Sequence, residues 1–173
     1  DFGDGETRRV AGGCSAGSIG VQLWAPALIA DFDFSDGILM DSYVGIMPPA
    51  ADVFWNLINV CEVGEQQLMW TREAVEACRE GFYVPSFTTA LLRDNSEVPA
   101  MYVGTNNDII QRGFYVATAG DLLDTEKQVF VEAAKYINVN LPPLLQGVMA
   151  NHSAASPAFQ SVVVQGEEHC LVS

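Results

Sequence analysis

The sequence predicts a single α/β domain, residues 1–173, with a mostly parallel sheet and flanking helices. Three observations carry this. Short apolar runs such as GILMDSYVG (37–45) and VPAMYVGT (98–105) do not alternate polar with apolar, which is the pattern of strands buried on both faces. Between such runs lie stretches whose apolar residues recur at helical spacing, so strands and helices alternate as parallel crossovers require. The composition, 49% hydrophobic and 17% charged over 173 residues, suits one packed core and not a disordered chain.

In chain order, TRRVAGG (7–13) begins as a strand, under way by residue 8, and runs into glycines. A helix is predicted over Ala16–Ala30 from Ile19, Leu23, Trp24, Ala27 and Leu28, with Pro26 expected to kink or shorten it. Residues 31–37 form a turn, and GILMDSYVG is a buried strand ending near Asp41. Pro48-Pro49 opens a helical insertion, roughly 48–98, with helices expected over Ala51–Cys61 and Glu65–Glu80 and a loop or ill-defined helix over Tyr83–Val98. VPAMYVGT is the next strand and leads into Asn106-Asn107-Asp108. A helix begins at Thr125, where Thr125 and Gln128 have capping-box spacing, and continues through Val129, Phe130, Ala133, Ala134 and Ile137 to Pro142-Pro143. FQSVVVQG (159–166) is the last strand, followed by His169.

Functional groups in a parallel sheet gather at the carboxyl ends of its strands. Three candidates stand there. Ser15, in Gly13-Cys14-Ser15-Ala16-Gly17, sits where a strand turns into a helix, and the tight turn of a nucleophile elbow requires small neighbours. The backbone N–H of Ala16 at the helix start would serve an oxyanion hole. Asp108 and His169 each follow a later strand. The order Ser, Asp, His is that of α/β-hydrolases, in which histidine takes the serine proton and aspartate orients the imidazole. Asp41 is the rival acid, and His152, in a proline-bounded polar stretch, is the rival base.

Other chemistries fit less well. Asp1-Phe2-Gly3 lacks the rest of a kinase, Gly12–Gly20 lacks a P-loop lysine, and no Cys/His spacing resembles a zinc site. With 8 Lys+Arg against 22 Asp+Glu and a net charge of −14, the chain is a poor binder of nucleic acid or of anionic membrane. No apolar run of about 18 residues is present to span a membrane. The opening Asp1, without a leader, is expected of a processed end; four cysteines and one sequon, Asn151-His152-Ser153, fit a secreted protein. Cys61 and Cys78 are expected to form a disulfide between helices, while Cys14 and Cys170 are expected to be free thiols, with a bridge tying the two catalytic segments together as the alternative.

At these residues the chain resembles the pectin acetylesterase and Notum family of carboxylesterases, a branch of the α/β-hydrolases. GGCSAGSIG resembles the family's elbow, which matches Ser15 to the nucleophile. LMDSYVG resembles an Ala-Asp-Ser/Ala-Gly stretch and makes Asp41 a structural aspartate. NNDIIQ resembles Asp-x-x-Gln, matching Asp108 to the triad acid and Gln111 to its companion, and GEEHCL resembles Gly-x-x-His, matching His169 to the base. The resemblance runs from Arg8 onward and is thin between Pro48 and Val98, and Gly17-Ser18 departs from the family's Gly-Gly.

The resemblance implies a serine carboxylesterase acting on acetyl or longer acyl esters of an extracellular polysaccharide or glycoprotein, without metal or organic cofactor. It also implies an incomplete α/β-hydrolase, because family members carry strands and an oxyanion loop before the elbow. A second polypeptide is therefore expected to supply the amino-terminal strands and protect the sheet edge. The alternatives are a catalytically silent structural or binding subunit, and an acyltransferase using the same three residues.

Overall fold

The computed structural model describes residues 8–32, 34, 36–48, 55–56, 58–119 and 140–172. Its elements are β1 (Val10–Cys14), α1 (Ala16–Phe32), β2 (Gly37–Asp41), α2 (Val60–Gln67), α3 (Arg72–Glu80), α4 (Val84–Asp94), β3 (Ala100–Thr105), α5 (Ile109–Ala119), α6 (Leu141–Ala155) and β4 (Phe159–Val164). The four strands form one sheet in the order β1-β2-β3-β4, parallel throughout, so the α/β class with a parallel sheet is what the chain adopts. Cys14 lies opposite Asp41, and Asp41 opposite Val103, which brings the carboxyl ends of β1, β2 and β3 side by side.

Alternate strand residues face opposite sides of the sheet. Ile38, Met40, Ala100, Tyr102 and Phe159 enter a core with Ala25 of α1, Leu91 and Leu92 of α4, and Leu145, Val148 and Met149 of α6. The other face differs from the sequence expectation of strands buried on both sides. Leu39, Met101 and Val103 are only half-buried there, and Val10, Val162 and Val164 are exposed.

A second core fills the insertion, where Trp70 packs on Phe87 with ring centres 4.3 Å apart and Phe82 meets Trp55 at 5.1 Å. Pairs of this kind add about 1 kcal/mol each beyond their burial. The Cys61–Cys78 disulfide joins α2 to α3 across 17 residues, a closure worth about 3 kcal/mol by loop entropy.

Several elements depart from the sequence reading. The helix expected over Glu65–Glu80 is broken: Met69 takes a left-handed φ of 55°, and α3 restarts after Thr71, whose hydroxyl accepts from Ala74 N–H. The break swings Trp70 onto Gly64, where any Cβ would collide with the indole, and lets Trp70 Nε1 donate to the Leu23 carbonyl. Asn59, also left-handed, sets the start of α2 at Val60; of the helix expected over Ala51–Cys61, residues 51–54 and 57 lie outside the described residues.

Tyr83–Val98 holds a regular helix, α4: Pro85 stands in its first turn, where the missing N–H costs nothing, and burial of Phe87, Thr88, Leu91 and Leu92 on one face overrides the poor propensities of the threonines. Pro26 does not end α1, which packs on β1, β2 and α4 along an unbroken 17-residue span. Of the helix expected from Thr125, residues 125–139 lie outside the described residues, and Pro142-Pro143, expected to end it, instead stand in the first turn of α6, where proline is tolerated.

Candidate active site

Ser15 follows β1 directly and has φ 57°, a left-handed backbone that few residues other than glycine adopt. Its neighbours make the turn possible. A Cβ on Gly13 would overlap the Gly17 carbonyl, so glycine is required two residues before the serine. The Ser15 carbonyl accepts from Ser18 and Ile19 N–H at 3.0 and 3.4 Å, and the Ser15 N–H donates to the Asp41 carbonyl at 3.1 Å. Ala16 is the first residue of α1, so its N–H has no acceptor within the helix and lies at the positive end of the dipole.

Asp108 is wholly buried between β3 and α5, and its two oxygens have separate tasks. Oδ1 accepts from the N–H groups of Ile110 and Gln111, both at 2.9 Å, and so caps α5. Oδ2 lies 2.6 Å from His169 Nδ1. A carboxylate there holds the proton on Nδ1 and leaves the Nε2 lone pair free to accept one. Gln111 Nε2 stands 3.4 Å from both Asp108 Oδ2 and the Tyr102 hydroxyl. His169 Nε2 is buried without a hydrogen-bond partner, so its contact with Ser15 Oγ is not closed in this arrangement.

The histidine segment is held by β2 and by a disulfide. Asp41 accepts from Leu171 N–H at 3.0 Å, from Val172 N–H at 2.7 Å and from the Ser42 hydroxyl at 2.6 Å. Ser42 Oγ in turn accepts from Cys170 N–H at 2.9 Å, and Thr105 Oγ1 donates to the Glu168 carbonyl at 2.8 Å. These bonds bring Cys170 to the end of β1, with its Cα 5.6 Å from that of Cys14, and the two form a disulfide. The expectation of free thiols is thereby corrected, for the reason that Asp41 draws in the chain beyond His169. Asp41 itself is spoken for by those donors and makes no pair with His169.

His152 is not in a loop. It is buried in α6 with Nδ1 3.0 Å from Thr89 Oγ1, away from Ser15, and burial pushes its pKa down to about 4. Tyr43, stacked on Phe114, has its hydroxyl buried and unpartnered; burial first, then the charge of Asp108, holds it protonated well above the usual tyrosine range. Tyr102 is raised likewise, chiefly by burial.

Ser42 and Thr105 went unnoticed in the sequence. The only available signal was their place just after or at the end of a strand. Hollows of about 300 and 270 Å³ lie elsewhere: one by Val10, Leu39 and Met101 toward the amino ends of the strands, the other by Ala74, Phe82 and Phe87. Cys14 Sγ, Cys170 Sγ and a ring nitrogen of His169 fall within 4.8 Å of one another, a juxtaposition that sequence spacing did not suggest. No protein-family model, curated protein or solved structure matches the chain.

Proposed function

We propose that this chain carries the nucleophile, base and acid of a serine carboxylesterase: Ser15, His169 and Asp108. The observation that carries the reading is the Asp108–His169 pair at 2.6 Å, with Cys170, next to the histidine, bridged to Cys14, next to a serine held at φ 57°. In the reaction His169 Nε2 accepts the Ser15 proton as Oγ attacks the ester carbonyl, and Asp108 stabilises the imidazolium that forms. The Ala16 N–H, at the helix start, stabilises the oxyanion. The alkoxide leaves with the proton from His169, and water then releases the acid from the acyl-serine by the same route.

The resemblance to pectin acetylesterase-like enzymes supports acyl esters, acetyl first among them, on an extracellular polymer as substrate. The two disulfides support a secreted or extracytoplasmic setting. The reading includes a second polypeptide that pairs a strand with the outer edge of β1. Among the described residues that edge has no strand partner, and Val10 on it is 53% exposed. A catalytically silent subunit is the second reading, and the unclosed contact between His169 Nε2 and Ser15 favours it.

Fluorophosphonate labelling of the native preparation, with peptide mapping, tests the proposal. An adduct on Ser15 that disappears in His169→Ala is expected. A folded sample that takes no label on Ser15 would leave the silent subunit standing.

A further inference from the structure

We propose that the Cys14–Cys170 disulfide masks a zinc-type cation site, which opens on reduction and uses Cys14 Sγ, Cys170 Sγ and His169 Nε2 as ligands. The two sulfurs and a ring nitrogen of His169 already lie within 4.8 Å of one another. Nε2 is buried without a hydrogen-bond partner, while Nδ1 is engaged by Asp108 Oδ2 at 2.6 Å. A carboxylate on the far nitrogen is the usual orienting partner of a metal-bound histidine, since it raises ligand basicity and fixes the tautomer. The Cα atoms of Cys14 and Cys170 stand 5.6 Å apart, and Asp41 and Ser42 hold the Cys170 segment by hydrogen bonds that do not depend on the disulfide.

The chemistry balances with a dithiol reductant. It delivers two electrons and two protons, becomes a cyclic disulfide, and leaves two thiols. A divalent cation then displaces both thiol protons and takes the imidazole as third ligand, with water as the fourth. Two thiolates and one imidazole select zinc or cobalt over magnesium and calcium. The surroundings favour a cation, since Asp108 is adjacent and the chain carries −14 overall.

Occupation of Nε2 takes away the group that would deprotonate Ser15, so the reduced, metal-loaded chain is inactive; this consequence rests on the esterase reading, whereas binding does not. Cobalt(II) titrated into the full chain under reducing, anaerobic conditions is the probe. Expected is a thiolate-to-cobalt charge-transfer band that saturates at one equivalent and is absent from the oxidised chain. The double variant Cys14→Ser/Cys170→Ser abolishes it, Asp108→Asn, which removes the carboxylate behind His169, weakens binding by about tenfold or more, and Cys61→Ser/Cys78→Ser retains it.

A second measurement covers the case in which full reduction unfolds the chain. Under limiting reductant, zinc is expected to slow alkylation of Cys14 and Cys170. Reduced chain without the band, a band that survives in Cys14→Ser/Cys170→Ser, or alkylation unaffected by zinc each overturns the proposal. A chain that binds cobalt but takes no fluorophosphonate on Ser15 keeps this site and loses the esterase. The converse result loses this site alone.

Discussion

His152 makes the fold acid-sensitive in a defined window. Its ring is fully buried in α6, edge-on to Phe159 at 5.3 Å, with Nδ1 3.0 Å from Thr89 Oγ1. The single Thr89 hydroxyl proton goes to the Pro85 carbonyl at 2.8 Å, so Thr89 Oγ1 accepts from an Nδ1–H and His152 is the Nδ1-protonated tautomer. Nε2 then faces the interior with no partner, and a proton placed there would bring a charge into the core.

That cost is why the folded pKa falls from 6.5 to about 4. The unfolded chain takes up this proton below about pH 6.5, while the folded chain resists until about pH 4. The stability is therefore full above the unfolded value and lost as pH falls through the window. The depression amounts to about 3 kcal/mol.

Urea unfolding of the wild type and of His152→Gln, measured between about pH 7 and about pH 4, reads this directly, since the carboxylate background is common to both. The wild type is expected to lose about 3 kcal/mol more than the variant, with the steepest loss between the two pKa values. Parallel curves would refute the reasoning, because they would mean that the ring titrates alike in the folded and unfolded chain, as a solvated ring does.

Two further outcomes follow from the geometry. Gly13→Ala places a Cβ on the Gly17 carbonyl and is expected to lower stability by about 1–3 kcal/mol, whereas Gly17→Ala meets nothing within 4 Å and is expected to leave the melting temperature unchanged or higher; equal losses from both would mean that the elbow is not built as described. Asp41→Ala removes the acceptor of Leu171 N–H, Val172 N–H and the Ser42 hydroxyl, and is expected to cost about 2 kcal/mol by urea unfolding and to slow fluorophosphonate labelling of Ser15 while the circular dichroism spectrum is kept. Labelling at the wild-type rate would show that Asp41 does not position the histidine segment.

The sequence by itself determined the sheet. Apolar runs at Gly37–Asp41 and Ala100–Thr105, separated by amphipathic stretches, leave few alternatives to parallel strands joined by helical crossovers, although the exposure of one sheet face was not written in them. The positions of Ser15, Asp108 and His169 at strand ends were legible for the same reason, and the small residues around Ser15 announced a tight turn.

Tertiary structure decided what depends on partners far along the chain. Whether residues 86–94 form a helix was settled by the cores that Phe87, Leu91 and Leu92 enter, not by the propensities of the threonines between them. The break at Met69 exists because Trp70 has to reach Leu23 and Gly64, and His152 became a core residue because α6 packs on α4. The Cys14–Cys170 disulfide, across 156 residues, is formed because Asp41 and Ser42 on β2 gather the chain beyond His169. Proximity of this kind is made by the register of neighbouring strands, and no local pattern in the sequence encodes it.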